Sequence, residues 1–273
     1  MEPVNKESGN TDKKGKLNKK WLIVFGVCLA VLIAAIVFIV VYVSKQNRTE
    51  EVYESLAETA RATTQETTTQ ETTTEEETTA VEIPIDFEAL WEENDDIYAW
   101  IYIEDTPIDY PVLRSTTDVD YYLDHTVDYV SGLPGSIYTQ STYNGDDFTD
   151  NVTVIYGHNM KNDTMFGSLN EYQDSDYREE HSTIIIYTPE HILTYEIIFT
   201  VTYNNRLIPY YFDLDTDSGY TSFWNSINTE HYIPSWVSDE YEFSTQDRMI
   251  VLSTCNGNSS QRYLVGAVLV DEQ

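Results

Sequence analysis

The chain has 273 residues, with 47 acidic against 15 basic side chains and a net charge of −32. Phosphate backbones bind basic faces, so nucleic acid is excluded as a partner. Two cysteines, Cys28 and Cys255, are too few for a disulfide framework, and a hydrophobic share of 41% excludes a wholly disordered chain.

The charge is unevenly spread. Residues 1–20 carry six Lys and three acids, a local charge of +3, whereas the rest carries nine basic and 44 acidic residues, or −35. Between these regions lies Trp21–Val43, 23 residues without a charge or a proline. As a helix it would span roughly 34 Å, enough to cross a bilayer core. Tyr42-Val43 leads into Ser44-Lys45-Gln46 with no small-residue cleavage site, so the segment reads as an uncleaved anchor and not a signal peptide. With the Lys cluster on its N-terminal side, the expected topology is single-pass in the cell membrane, N-terminus cytoplasmic and the bulk extracellular. Cys28, in the middle of this helix, reads as a small apolar residue facing lipid.

Residues 63–79 repeat the unit Gln-Glu-Thr-Thr-Thr, and ten of these 17 residues are Thr. Such a segment has little apolar surface to bury, and repulsion among its glutamates favours extension. The chain therefore divides into a basic tail (1–20), a membrane helix (21–43), a Thr/Glu-rich extracellular spacer (44–81) and a folded domain (82–273).

Within the domain, Phe87, Leu90 and Trp91 have helical spacing. Apolar runs rich in Ile, Val, Thr and Tyr follow at 100–103, 108–113, 136–139, 152–156, 183–188, 193–203, 248–254 and 262–270, separated by Asn, Asp, Gly or Pro. Helical patches are expected at 118–123, 165–172 and 220–228. Many short strands with few helices predict a mainly β barrel or sandwich.

Cys255 is the domain's one cysteine, at the end of the apolar run Met249–Thr254 and before Asn256-Gly257-Asn258. A thiol at a strand end is reachable by substrate, so it reads either as a nucleophile or as an inert core thiol. A nucleophilic Cys needs a group that favours the thiolate or handles protons. Of the five histidines, His158 alone shares the strand-end placement, in Tyr156-Gly157-His158-Asn159-Met160. Arg262 opens the next strand, and a hairpin through 256–261 would bring it close to Cys255. There it would serve an oxyanion or a peptide carbonyl, or stand as a solvated edge charge.

These residues resemble the sortases, membrane-anchored cysteine transpeptidases of Gram-positive bacteria. The likeness rests on Tyr-Gly-His-Asn-Met at 156–160, Leu-Ser-Thr-Cys at 252–255 and Arg262. Asn94-Asp95-Asp96-Ile97, Ile108-Asp109-Tyr110-Pro111-Val112, Tyr121-Tyr122-Leu123, Gly135-Ser136-Ile137 and Met165-Phe166-Gly167 are similar to class B. So is the helix-bearing insertion at about 213–238. The resemblance implies an eight-stranded sortase-type barrel with His158, Cys255 and Arg262 as the catalytic set, and needs no cofactor. It implies cleavage of an LPXTG-like C-terminal sorting motif through a thioacyl-enzyme on Cys255. Transfer then goes to an amine of peptidoglycan or of a pilin lysine, for wall anchoring or pilus assembly. Tyr156, Ser253, Thr254 and Leu123 are the expected substrate contacts.

The chain departs from that pattern in a short Cys255–Arg262 loop and in Val119, which stands where an Asn commonly precedes the Tyr-Tyr-Leu element. Asp213–Gly219 resembles a calcium loop, but Ser218 and Trp224 occupy the positions that need Gly and Glu, so it reads as a solvated acidic loop and no metal site is expected. Two other classes share these features. A papain-like peptidase would use Cys and His but transfer only to water, and a stalked adhesin would use neither.

Overall fold

The computed structural model describes residues 19–66 and 82–273, so nearly all of the basic tail and most of the Thr/Glu repeat lie outside the described residues. The chain divides into two units, Met1–Arg48 and Thr49–Gln273. Helix α1 (Lys19–Glu66) contributes to both. Its first part holds the apolar span, long and apolar enough to cross a membrane, with Trp21, Phe25, Leu32 and Phe38 all exposed.

The second part of α1 has a different pattern. Tyr53, Leu56 and Ala60 recur at i, i+3 and i+7, which places them on one stripe, and all three are buried in the core of the second unit. Arg61 donates to Asp109 at 2.5 Å, and the Ala60 carbonyl accepts from the Asp86 amide at 2.8 Å. Composition assigned all of 44–81 to a spacer. Among the described residues the folded unit instead begins at Thr49, because a helical apolar stripe hides within acidic and Thr-rich sequence.

After α2 (Phe87–Glu93), capped by the Asp86 carboxylate accepting from the Ala89 amide, the chain is mainly strand. Strands β1 (Ile97–Tyr102), β2 (Asp109–Leu113), β3 (Ile137–Thr139) and β4 (Val152–Tyr156) come first. Helix α3 (Ser175–Glu180), β5 (Thr183–Tyr187) and β6 (Ile192–Asn204) follow. Then come α4 (Ile208–Tyr211), α5 (Asp217–Thr229), β7 (Tyr232–Val237), β8 (Met249–Cys255) and β9 (Gln261–Glu272). The strand order is β5-β1-β2-β3-β4-β8-β9-β6-β7, and a further β5–β6 pairing closes the first eight into a barrel. Closure leaves the barrel without open edges.

The 13 residues of β6 make closure and decoration compatible. One edge pairs with β9 throughout; on the other, Ile192–Glu196 takes β5 and Phe199–Thr202 takes β7. Strand β7 escaped the sequence reading because Pro234 interrupts its pattern, a residue tolerated at a sheet edge.

Alternation along β8 and β9 splits the apolar residues into two cores. Ile250, Leu252, Tyr263 and Val265 face the barrel interior with Trp100 and Ile155. Met249, Val251 and Leu264 face outward with Phe199 and Val201, covered by Tyr220, Phe223 and Ile227 of α5. The acidic run at 213–219 is where α5 starts. Thr216 Oγ1 accepts from the Gly219 amide at 3.1 Å, and Asp217 lies in the first turn, where a carboxylate favours the helix dipole.

Candidate active site

Strand β8 carries Cys255 as its last residue, and antiparallel pairing sets Cys255 directly opposite Arg262 of β9. Opposed residues in such a ladder share a face, with Cβ atoms about 4.5–5.5 Å apart. By alternation that face is the one carrying Val251 and Leu264, outside the barrel. The thiol is exposed. The connecting turn is short because its polar side chains close it locally. Asn258 accepts from the Ser260 amide at 3.0 Å, Asn256 accepts from the Asn258 amide at 3.1 Å, and Gly257 takes φ +85°. Asn205, just beyond β6, holds the turn through the Ser259 and Ser260 carbonyls.

His158 arrives from β4, which runs parallel to β8 with Tyr156 beside Ser253. Beyond the ladder the two chains stay bound. The Gly157 amide donates to the Ser253 carbonyl at 3.2 Å, and Thr254 Oγ1 donates to the Gly157 carbonyl at 2.8 Å. His158 and Cys255 each lie two residues beyond the last ladder pair, Tyr156–Ser253, so both reach the same end of the barrel. Gly157 is required at this crossing. A Cβ there would stand 2.5 Å from Ile137 Cδ1 and 2.7 Å from Phe166 Cδ2.

His158 Nε2 lies 2.7 Å from the Leu123 carbonyl, at the end of the 3₁₀ turn Tyr121–Leu123. A carbonyl only accepts, so Nε2 carries a proton and Nδ1 is left as the nitrogen that gains or releases one. Asn159 Nδ2 donates to the Cys255 carbonyl at 2.5 Å, while its own Oδ1 accepts from Asn170 at 3.1 Å. These contacts tie the His158 loop to the end of β8. Asn159 escaped the sequence reading although it stands inside the quoted Gly-His-Asn-Met run. The Leu123 contact had no sequence signal, because a backbone carbonyl carries no residue identity.

The four expected substrate contacts fare differently. Leu123 keeps its side chain 46% exposed, on the turn that holds His158. Ser253 and Thr254 are buried, and the Thr254 hydroxyl is already engaged with Gly157. Tyr156 packs against Tyr138 with ring centroids 5.5 Å apart, and its buried hydroxyl has no hydrogen-bond partner among the described residues. Burial pushes that hydroxyl well above the usual phenol range; Tyr138 and Asp120 add to the effect and Arg262 opposes it. Tyr156 is therefore a neutral wall beside Ser253, within electrostatic reach of Arg262. Among the described residues, no group of three His, Cys, Asp or Glu could hold a metal ion.

A thiol and a guanidinium paired across a hairpin, with an imidazole at the neighbouring strand end, suit acyl transfer through a thioester. Comparison with known proteins points the same way. The Sortase domain family model matches residues 101–270. Sortase B of Listeria monocytogenes is 35% identical over 181 residues, covering 64% of this chain and 69% of that protein. A crystal structure of sortase B from B. anthracis, in complex with AAEK1, superposes with a TM-score of 0.65 at 26% identity. That match covers 84% of this chain and 98% of the other. Sortase B of Clostridium perfringens superposes with a TM-score of 0.59 at 26% identity, covering 68% of this chain and all of the other. The chain belongs to the sortase family, on the class B branch, and is a cysteine transpeptidase.

Proposed function

We propose that the enzyme cleaves a C-terminal sorting motif of the LPXTG kind and transfers the protein to an amine of peptidoglycan or of a pilin lysine. Cys255, as thiolate, attacks the scissile carbonyl, and the developing oxyanion is met by the Arg262 guanidinium. His158, as imidazolium, gives its proton to the departing amine, leaving a thioester on Cys255. The incoming amine attacks that thioester, His158 takes up its proton, and the thiolate leaves. The supporting observation is the Cys255–Arg262 register with His158 at the adjoining strand end.

The exposed Leu123 side chain and the Tyr156 wall border the substrate, whereas Ser253 and Thr254 support the site from below. A papain-like arrangement would carry its cysteine on a helix, and here the thiol ends a strand. The apolar part of α1 anchors the enzyme with its N-terminus in the cytoplasm and the catalytic unit outside, as the Lys-rich tail requires.

The test is mass spectrometry of a sorting-peptide panel incubated with the enzyme, with and without candidate amines. The expected result is a Cys255-linked acyl adduct, and amide products only when amine is present. Hydrolysis that no amine can divert would establish a peptidase instead.

A further inference from the structure

We infer that Tyr53, on the part of α1 that packs into the catalytic unit, is a positioning residue for His158. The inference rests on the proposed reading of His158 as the proton-transfer group.

Tyr53 is 5% exposed. Its hydroxyl donates to the Gly135 carbonyl at 3.0 Å and lies 3.0 Å from Ser136 Oγ. These two residues hold the turn that holds the histidine. The Ser136 amide donates to the Tyr122 carbonyl at 3.0 Å, and Ser136 Oγ donates to the His125 carbonyl at 2.9 Å. Gly135, at φ +65°, passes so close that a Cβ would stand 2.6 Å from the Leu123 oxygen. That same oxygen accepts from His158 Nε2.

The helix also reaches the loop that follows His158. The Tyr53 ring meets Tyr110 edge to face with centroids 5.5 Å apart, and the Tyr110 hydroxyl accepts from the Met165 amide at 3.1 Å. Glu50 accepts from Asn162 Nδ2 at 2.5 Å. Asn162 and Met165 belong to the loop that leaves His158 and returns at Phe166, whose amide donates to the His158 carbonyl at 3.0 Å. One turn of helix thus braces both the Leu123 carbonyl and the His158 loop. A shift of an ångström in a proton-transfer group costs up to about 10²-fold in rate. A single buried hydroxyl two hydrogen bonds away should cost less.

The experiment uses the full-length chain in detergent micelles. Tyr53→Phe removes the hydroxyl and keeps the ring against Tyr110. Turnover of a sorting peptide should fall roughly tenfold in kcat with KM within twofold, as expected for a displaced catalytic group. The His158 ring resonances and the limb of the pH–rate profile that they match should shift with it. Unchanged His158 resonances would overturn the inference, whatever the loss of thermal stability, as would a kcat within twofold of wild type. His158→Ala is measured in parallel. Full turnover in that variant would remove the reading of His158 itself, whereas a silent Tyr53→Phe beside an inactive His158→Ala would remove only the role of Tyr53.

Discussion

Cys255 and Arg262 owe their placement to the backbone ladder of one hairpin, whereas the His158 segment is held by contacts to two other parts of the chain, the 3₁₀ turn and the end of β8. The ladder runs unbroken from Met249–Val268 to Cys255–Arg262, so the thiol and the guanidinium are set by register alone. The histidine leans on the Leu123 carbonyl, on the Asn159–Cys255 contact and on the β4–β8 crossing at Gly157. Register is insensitive to surface side chains, because backbone hydrogen bonds maintain it. A histidine held by single hydrogen bonds is sensitive to each of them. The hairpin side should therefore tolerate remote substitution, and the histidine side should not.

The sharpest separation comes from removing the groups themselves. His158→Ala should lower transpeptidation by about 10²–10⁴-fold, the usual worth of general acid–base help. Arg262→Ala should lower it less, by about 3 kcal/mol in the barrier, and Arg262→Lys should restore part of that without the planar fork. Steady-state rates for the three variants, with circular dichroism confirming the fold, decide the order. An Arg262→Ala loss larger than that of His158→Ala would invert the assigned roles.

The ladder side can be stressed from within the barrel wall. Gly266 of β9 sits opposite Phe199, beside an irregularity in the β6–β9 pairing. A Cβ there would come within 2.1 Å of the Phe199 ring. Gly266→Ala should cost about 1–3 kcal/mol of stability, as overpacking does. Thermal denaturation checks this, and an unchanged melting temperature would show that Phe199 moves aside freely. Turnover per folded molecule should hold, since register and not packing sets the Cys255–Arg262 pair.

The smallest effect expected is at Asn159. Asn159→Ala removes one donor to the Cys255 carbonyl, a hydrogen bond worth about 1 kcal/mol net. A few-fold drop in kcat with little change in melting temperature is the expected outcome. A loss as large as that of His158→Ala would mean that Asn159 touches substrate.

Much of this was legible in the chain itself. Strand-end placement of Cys255 and His158, and a short turn before Arg262, follow from apolar runs broken by Gly and Asn. Such local signals survive because strand formation and turn chemistry act over a few residues. The apolar span from Trp21 to Val43 is equally plain, since nothing in it would let water compete.

Other features were decided only in three dimensions. Closure of eight strands needs β6 to meet β9 on one edge and β5 on the other, and the pairing of distant segments leaves no mark on either alone. The stripe Tyr53, Leu56, Ala60 has a helical period, yet its neighbours Glu51, Glu54 and Glu58 give the composition of a solvated spacer. Only the barrel surface against which it packs shows that the folded unit begins there. The carbonyl of Leu123 carries no residue identity at all, so the partner of His158 became visible only when the 3₁₀ turn was set beside β4. Residue types and local spacing thus determined which groups are candidates for the chemistry, and long-range packing determined what holds them in place, because a carbonyl or a buried stripe gains its meaning only from the atoms brought against it.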